Sequence, residues 1–278
     1  MRLCNLVPNN FLQPYVSRYW LWEKEPVLPK IFSGTGTELM FHYGDLLLGT
    51  NQAGKMFTLP QCYIMSPRFT CYDLNPGNQL GFISIRFRAG AFRHFCKTPS
   101  TELVDSFVDI EDLWGSSGRE FSQQVLEAGN LQQRIAIIEK FLMAFLTKYY
   151  KKEQPLDQAV KTLLYDYKRV NLHDISQNLF LSQRQMERKF RNAVGVSPKA
   201  FQRISRFEAV MKNLLLHRSR KYLAVVLDHG YYDQSHFLKE FINCMGEYPA
   251  SFLQEKNFMS HFYNEKLANR AIINNEFS

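Results

Sequence analysis

Residues 230–249 read Gly-Tyr-Tyr-Asp-Gln-Ser-His-Phe-Leu-Lys-Glu-Phe-Ile-Asn-Cys-Met-Gly-Glu-Tyr-Pro. Gly230 breaks an apolar stripe, Leu223, Val226 and Leu227, that predicts a short helix over Tyr222 to Asp228. Asp233 is placed to cap a second helix. Phe237, Phe241 and Met245 follow at steps of four, so one side of that helix is apolar. Gly246 stops it and Pro249 comes three residues later. The side facing away carries Gln234, Ser235, Leu238 and Lys239.

The same grammar occurs some fifty residues upstream. Leu172, Ile175 and Leu179 mark a short helix, and Phe180-Leu181 makes the turn. Ser182 with Gln185 gives an S-x-x-Q capping box. Met186, Phe190 and Val194 form the inward stripe, Gly195 ends the helix and Pro198 follows. Its outward side carries Gln183, Arg184, Glu187, Arg188 and Arg191, with Gln185 near the start. Arg can bond guanine and Gln adenine in bidentate fashion in a major groove, and Glu can accept from cytosine or simply pair with Arg191. Taken alone, this stretch slightly favours an ordinary polar surface helix over a DNA reader; the repetition is what favours two helix-turn-helix units.

Pro198 to His217 carries Phe201, Ile204, Val210, Met211, Leu214 and Leu215, the broad apolar face of a connecting helix. A continuous helix would fix the two units on one body, to enter major-groove segments about 34 Å apart. The run His217-Arg218-Ser219-Arg220-Lys221 complements a helix C-terminus or reaches phosphates.

These residues resemble the DNA-binding domain of the AraC/XylS transcriptional regulators. The likeness covers residues 156–257 and rests on Leu181-Ser182, Phe190, Gly195-Val196-Ser197-Pro198, Arg206, Leu214-Leu215 and Ala224. It continues through Gly230-Tyr231, Asp233, Ser235-His236-Phe237, Phe241, Gly246 and Pro249. It implies seven helices and base contacts from Arg184, Glu187 and Arg188 in the first unit and from Gln234, Ser235 and Lys239 in the second. His236 is read as structural or phosphate-facing. Ser176 stands where alanine is usual, and Leu238 and Glu240 flank Lys239 where more polar or basic groups occur, so the second unit is expected to read sequence more weakly.

The first half has a different texture. Aromatic and β-branched runs at Tyr15 to Trp22, Glu38 to Tyr43, Asp45 to Leu48, Gln61 to Met65 and Gly81 to Phe87 predict strands. Turn residues at Ser33 to Gly36, Asn51 to Gly54 and Asn75 to Asn78 separate them. In residues 82–87, Ser84 and Arg86 alternate with apolar residues, as in a half-buried strand. Many short strands suggest a small barrel or sandwich. Residues 36–45 and 85–92 resemble, more loosely, the cupin-like sensor domain of some members of the same family, which implies a small effector, dimerisation, or both. Leu131, Ile135, Ile138, Leu142, Phe145 and Tyr149 predict a helix whose stripe packs on its own domain in preference to serving as a dimer seam. The charged run 151–155, ending in Pro155, reads as the linker. The expected organisation is therefore a β-rich cupin-like barrel with helices over 1–150 and a linker over 151–155. An all-α double helix-turn-helix follows over 156–257, then a tail over 258–278.

Charge supports this division. Residues 1–150 hold 14 Lys and Arg against 13 Asp and Glu, whereas residues 151–278 hold 20 against 13. The basic excess suits double-stranded DNA, although a solvated basic face would show it too. The five cysteines have no CxxC spacing and predict free, mostly buried thiols in a reducing cytoplasm. No apolar run reaches the roughly 18 residues of a membrane span and no secretory leader is evident.

Catalysis is not expected. Phe41-His42-Tyr43 supplies one histidine where a metal-binding cupin needs several, so neither metal nor cofactor is anticipated. No G-x-S-x-G and no P-loop occurs. Cys96, beside Lys97, is a weak candidate for an activated thiol, and an ordinary thiol is favoured. For an effector pocket the polar candidates are Glu38, His42, Arg86 and Arg88. Arg86 and Arg88 share a parity, and the solvent side is favoured for both. The resulting expectation is a DNA-binding transcriptional regulator, more often an activator working with RNA polymerase, with a possible effector or homodimer through the first half. The rival is a ligand-binding cupin-like protein without gene control.

Overall fold

A computed structural model describes residues 2–23, 31, 33–75, 77, 80–152, 154–216 and 222–254. The basic run 217–221 and the tail 258–278 lie outside them. Among the described residues nine strands make two antiparallel sheets. β1 (Arg2–Leu6), β2 (Val16–Glu23), β8 (Gly81–Phe87), β3 (Glu38–His42), β6 (Cys62–Met65) and β9 (Phe107–Asp109) pair in that order, and β5 (Met56–Thr58), β4 (Leu48–Asn51) and β7 (Tyr72–Asn75) form the smaller sheet.

The large sheet is apolar on both faces, and the alternation of its strands sorts residues between two cores. Tyr19, Leu21, Leu39, Phe41, Ile64, Ile83, Ile85 and Phe87 face α1 (Ile110–Trp114), α2 (Ser116–Glu127) and α3 (Leu131–Tyr149). Within α3, Ile138, Leu142 and Phe145 are buried in this core and Leu131, Ile135 and Tyr149 pack against it, so the stripe serves its own domain. Residues one step along, Trp20, Trp22, Met40, Tyr63, Met65 and Phe82, face the other way.

β8 is therefore a central strand, not a half-buried one. Ser84 is buried and Arg86 is mostly covered; they lie on the face that looks toward the C-terminal helices, where Glu38 partners both. The strand expected over Asp45 to Leu48 begins only at Leu48. Leu46 and Leu48 are exposed around a buried Leu47 as alternation demands, but the ladder starts at the pair Leu48 with Thr58. The short strands β1, β5, β7 and β9 carry too few residues for a periodic signal.

Among the described residues the C-terminal part has seven helices: α4 (Gln154–Tyr165), α5 (Leu172–Asn178), α6 (Gln183–Val194), α7 (Pro198–Leu216), α8 (Tyr222–Asp228), α9 (Gln234–Met245) and α10 (Pro249–Gln254). Pro155 sits in the first turn of α4 and Pro198 opens α7, where a missing N–H costs nothing. The first helix-turn-helix has its own core, built on Leu163, Ile175, Met186, Phe190, Val194 and Phe201. The second does not. Phe207, Val210, Met211, Phe237, Phe241 and Met245 belong to one cluster with Trp20, Trp22, Met40, Tyr63 and Phe82 of the large sheet. Helix α7 thus runs from one core into the other.

Candidate nucleic-acid interface

The second helix of each unit, α6 and α9, is held by its ends. In α6 the Ser182 hydroxyl accepts from the Gln185 N–H, and the Gln185 side-chain oxygen accepts in return from the Ser182 N–H at 3.0 Å, completing the capping box. Gly195 terminates α6 at φ +93°. A Cβ there would lie 2.7 Å from the Ser100 carbonyl, so this glycine answers both to a left-handed backbone and to a close approach of the first half. The Ser100 hydroxyl also donates to the Ala193 carbonyl at 2.9 Å. In α9 Asp233 accepts from the His236 N–H at 2.7 Å, and Gly246 closes the helix at φ +71°.

Met186, Phe190 and Val194 are buried, so the opposite side of α6 is presented outward. Gln183, Arg184, Gln185, Glu187, Arg188 and Arg191 are all exposed. Gln185 spends its side-chain oxygen on the cap, and Glu187 faces Arg191 at 3.6 Å across one turn. Arg184 and Arg188 extend outward from the same side of the helix. On α9, Gln234, Ser235 and Lys239 are exposed, while Leu238 is half-buried.

Glu240 does not flank Lys239 on the outer side. It is buried, and its carboxylate takes Arg206 Nη2 at 2.6 Å. The Arg206 guanidinium also lies over the Tyr231 ring at 4.0 Å. A pair separated by 34 residues leaves no periodic trace in the sequence, so this contact between α7 and α9 was not foreseen. Ser176 is buried, and its hydroxyl donates to His173 O of its own helix at 2.7 Å. His236 is exposed and edge-on to Tyr231, with ring centroids 5.3 Å apart. It borders a groove of about 630 Å³ between the two units, whose walls include Lys168, Lys199, Arg203 and Arg206.

The four effector candidates separate. Glu38 and Arg86 are brought together at 2.7 Å, and Ser84 donates to Glu38 at 2.8 Å. Burial alone would raise the Glu38 carboxyl, but Arg86, then Arg68, the Ser84 hydroxyl and Arg18, hold it below the ordinary range. From α7, Glu208 reaches the same guanidinium at 3.6 Å and accepts from Thr35 Oγ1 at 2.5 Å. Arg86 therefore lies inward, contrary to the expected solvent position, because its strand is covered on both sides. Arg88 lies beyond the strand end and is exposed, donating to Gln13 O at 2.7 Å. His42 is buried against Tyr63 and Phe82, four residues along the strand from Glu38, and burial pushes its pKa down to about 4. Its ring hydrogen-bonds Tyr63 Oη at 3.1 Å.

Cys96 is buried and its thiol is pushed up to about 11 by that burial, against Lys151 and the Thr98 carbonyl, which is the opposite of activation. Among the described residues no group of three His, Cys, Asp or Glu is placed to hold a metal ion, and no helix is long and apolar enough to cross a membrane.

Paired helices with capped, outward-facing second members define a double helix-turn-helix protein. The family described as "Helix-turn-helix domain" matches residues 175–255, and "Domain of unknown function (DUF6597)" matches residues 5–109. Residues 175–255 thus carry an AraC-type helix-turn-helix DNA-binding domain, of the kind found in transcription regulators. No curated protein matches it in sequence. Among solved structures it is similar to ToxT from Vibrio cholerae, with 11% identity, 84% of this chain and 97% of that one covered and a TM-score of 0.49. ToxT bound to (E)-4-(8-methylnaphthalen-1-yl)but-3-enoic acid gives the same identity and TM-score over 96% of its length, and unsaturated fatty acid bound ToxT gives a TM-score of 0.45 over 94%.

Proposed function

We propose that this regulator acts in the cytoplasm as a sequence-specific activator that reads promoter DNA with α6 and α9 and presents itself to RNA polymerase there. The observation that carries the reading is the pair of capped helices whose outer sides hold Gln183, Arg184, Glu187 and Arg188 in one unit and Gln234, Ser235 and Lys239 in the other. Arg184 and Arg188 specify bases, with Gln183 and Gln185 near the start of the same helix, while Lys239 and the groove cations hold phosphates. The first half is the controlling part. An effector, or a homodimer contact made through residues 1–150, acts by changing how the Thr35, Glu38 and Arg86 side holds Glu208 on α7.

Genome-wide mapping of bound DNA, compared with Arg184→Ala and Arg188→Ala, tests this. Discrete sites that lose occupancy in both variants, beside genes whose expression falls on deletion, are expected. Absence of specific DNA binding even at low salt would overturn it and leave a ligand-binding protein without gene control.

A further inference from the structure

We propose that Tyr167, His229 and Asn213 form a joint that sets the distance and angle between the two reading units, so that His229 fixes which spacing of DNA half-sites the protein accepts. This rests on the proposed reading of DNA by both α6 and α9.

The need for a joint comes from the cores. The first unit packs around Met186, Phe190 and Phe201, and the second packs around Phe207, Phe237 and Phe241 in a separate cluster. Helix α7 spans both and fixes their separation along its axis. One helix resists bending and twisting of the parts it carries only through its own backbone. A contact away from that axis triangulates them.

Tyr167 supplies that contact from the first unit, in the connection after α4. Its hydroxyl lies 2.5 Å from Nδ1 of His229, which sits in the turn after α8 in the second unit. The two rings are nearly parallel, at 15°. On the other edge of the imidazole, Nε2 lies 3.1 Å from the side-chain amide of Asn213, on α7. The Asn213 amide oxygen is otherwise a buried atom with no hydrogen-bond partner, and turning the amide over presents it to an Nε2–H. Tyr167 then donates to Nδ1 and His229 donates to Asn213, so all three side chains are satisfied by a neutral ring. The Tyr167 backbone is itself fixed from α7, since Gln202 Nε2 donates to the carbonyls of Tyr167 at 2.6 Å and Val170 at 3.2 Å. First unit, second unit and connecting helix therefore meet at one imidazole.

One base pair inserted between two half-sites moves the far one by about 3.4 Å and turns it by roughly 35° about the duplex axis. A triangulated pair of units cannot follow that movement; a hinged pair can. The test is a set of duplexes carrying the mapped site with its two halves at the native spacing and at one base pair fewer, one more and two more, together with a duplex holding the first half alone. Wild type is expected to prefer the native spacing by about tenfold. Tyr167→Phe, which keeps the ring and removes only the hydroxyl, and His229→Gln are expected to flatten that preference at least threefold while binding the isolated half-site as wild type does.

Equal weakening at every spacing would make the contact a matter of general stability and overturn the proposal, as would an unchanged spacing profile in both variants. Wild type that binds its site but ignores spacing leaves the DNA-reading assignment standing and removes the joint. Wild type that binds no specific DNA removes both.

Discussion

The two helix-turn-helix units share a plan and differ in what they rest on. The first is a self-contained body with an arginine-rich outer side, touching the first half of the chain through Phe69, Ala89 and Val104 and the Ser100 bond to Ala193. The second has an outer side with one strong cation, Lys239, and its core is continuous with the large sheet. Gln52, in the turn between β4 and β5, also donates to the Asn243 carbonyl near the end of α9, at 3.1 Å. The arginine-rich outer side and the core shared with the large sheet thus fall in different units. The second is the platform through which the sheet holds α7, and the first, with a core of its own, is carried on the same helix.

The largest expected effect tests the attachment. Phe190→Ala and Phe237→Ala each remove a fully buried phenyl ring and should each cost about 3–5 kcal/mol. Their reach should differ. In hydrogen exchange, Phe237→Ala is expected to deprotect strand amides around Trp22 and Phe82 as well as α9, while Phe190→Ala leaves the sheet protected. If both variants deprotect the sheet alike, the division between the units is wrong.

Acid offers a slightly smaller lever on the same side. His42 is packed against Tyr63 and Phe82, members of the shared cluster, and its folded pKa of about 4 lies below the ordinary histidine value. Between about pH 6.5 and 4 the unfolded chain therefore binds a proton that the folded chain refuses, so stability falls as pH is lowered through that window. The loss from this residue is on the order of 3 kcal/mol. His42→Leu should flatten the stability profile between those pH values. An unaltered slope would mean that other groups carry the acid response.

Next come the outer sides. Arg184→Ala or Arg188→Ala should cost about 1–3 kcal/mol in specific DNA binding and relax base preference, as measured by competition among single-base site variants. Gln234→Ala should cost less, and Lys239→Ala should weaken all sequences alike while lowering the salt slope by about one. Equal losses from both units would erase the proposed inequality.

The plan of the units was legible because it is local. Capping residues, four-residue apolar steps and terminating glycines act within one or two turns, and Ser182, Asp233, Gly195 and Gly246 hold the places their chemistry predicts. Leu131–Tyr149 and Gly81–Phe87 were legible for the same reason. The environment of those elements was not. Arg86 reads as a solvent residue because alternation says only that one side of a strand differs from the other, and both sides of β8 are covered. Glu240 reads as a surface neighbour of Lys239 until Arg206 is brought to it from 34 residues away. Glu208 gives no signal at all, since its partners Thr35 and Arg86 lie on the far side of the domain boundary. Local physics writes the elements into the sequence; which of their polar residues are buried is decided by what packs on them.

The smallest effect compares the two turns themselves. At corresponding places after the first helix of each unit, Phe180 has φ +53° and Gly230 has φ +80°. Glycine adopts that region freely, whereas a phenylalanine there carries about 1–2 kcal/mol of backbone strain. The Phe180 ring recovers little by packing, because it is 96% exposed. Phe180→Gly should therefore stabilise the protein by up to about 1 kcal/mol once the greater entropy of glycine in the unfolded chain is offset. Gly230→Ala should do the reverse by about 1 kcal/mol. Its added Cβ would meet nothing nearer than Lys168 Cγ at 3.9 Å, so the loss is backbone strain and not a clash. Thermal unfolding of the two variants checks both signs. A destabilised Phe180→Gly would mean that the exposed ring holds the turn in a way its solvent exposure does not reveal, and the first unit would then be the more firmly built of the two.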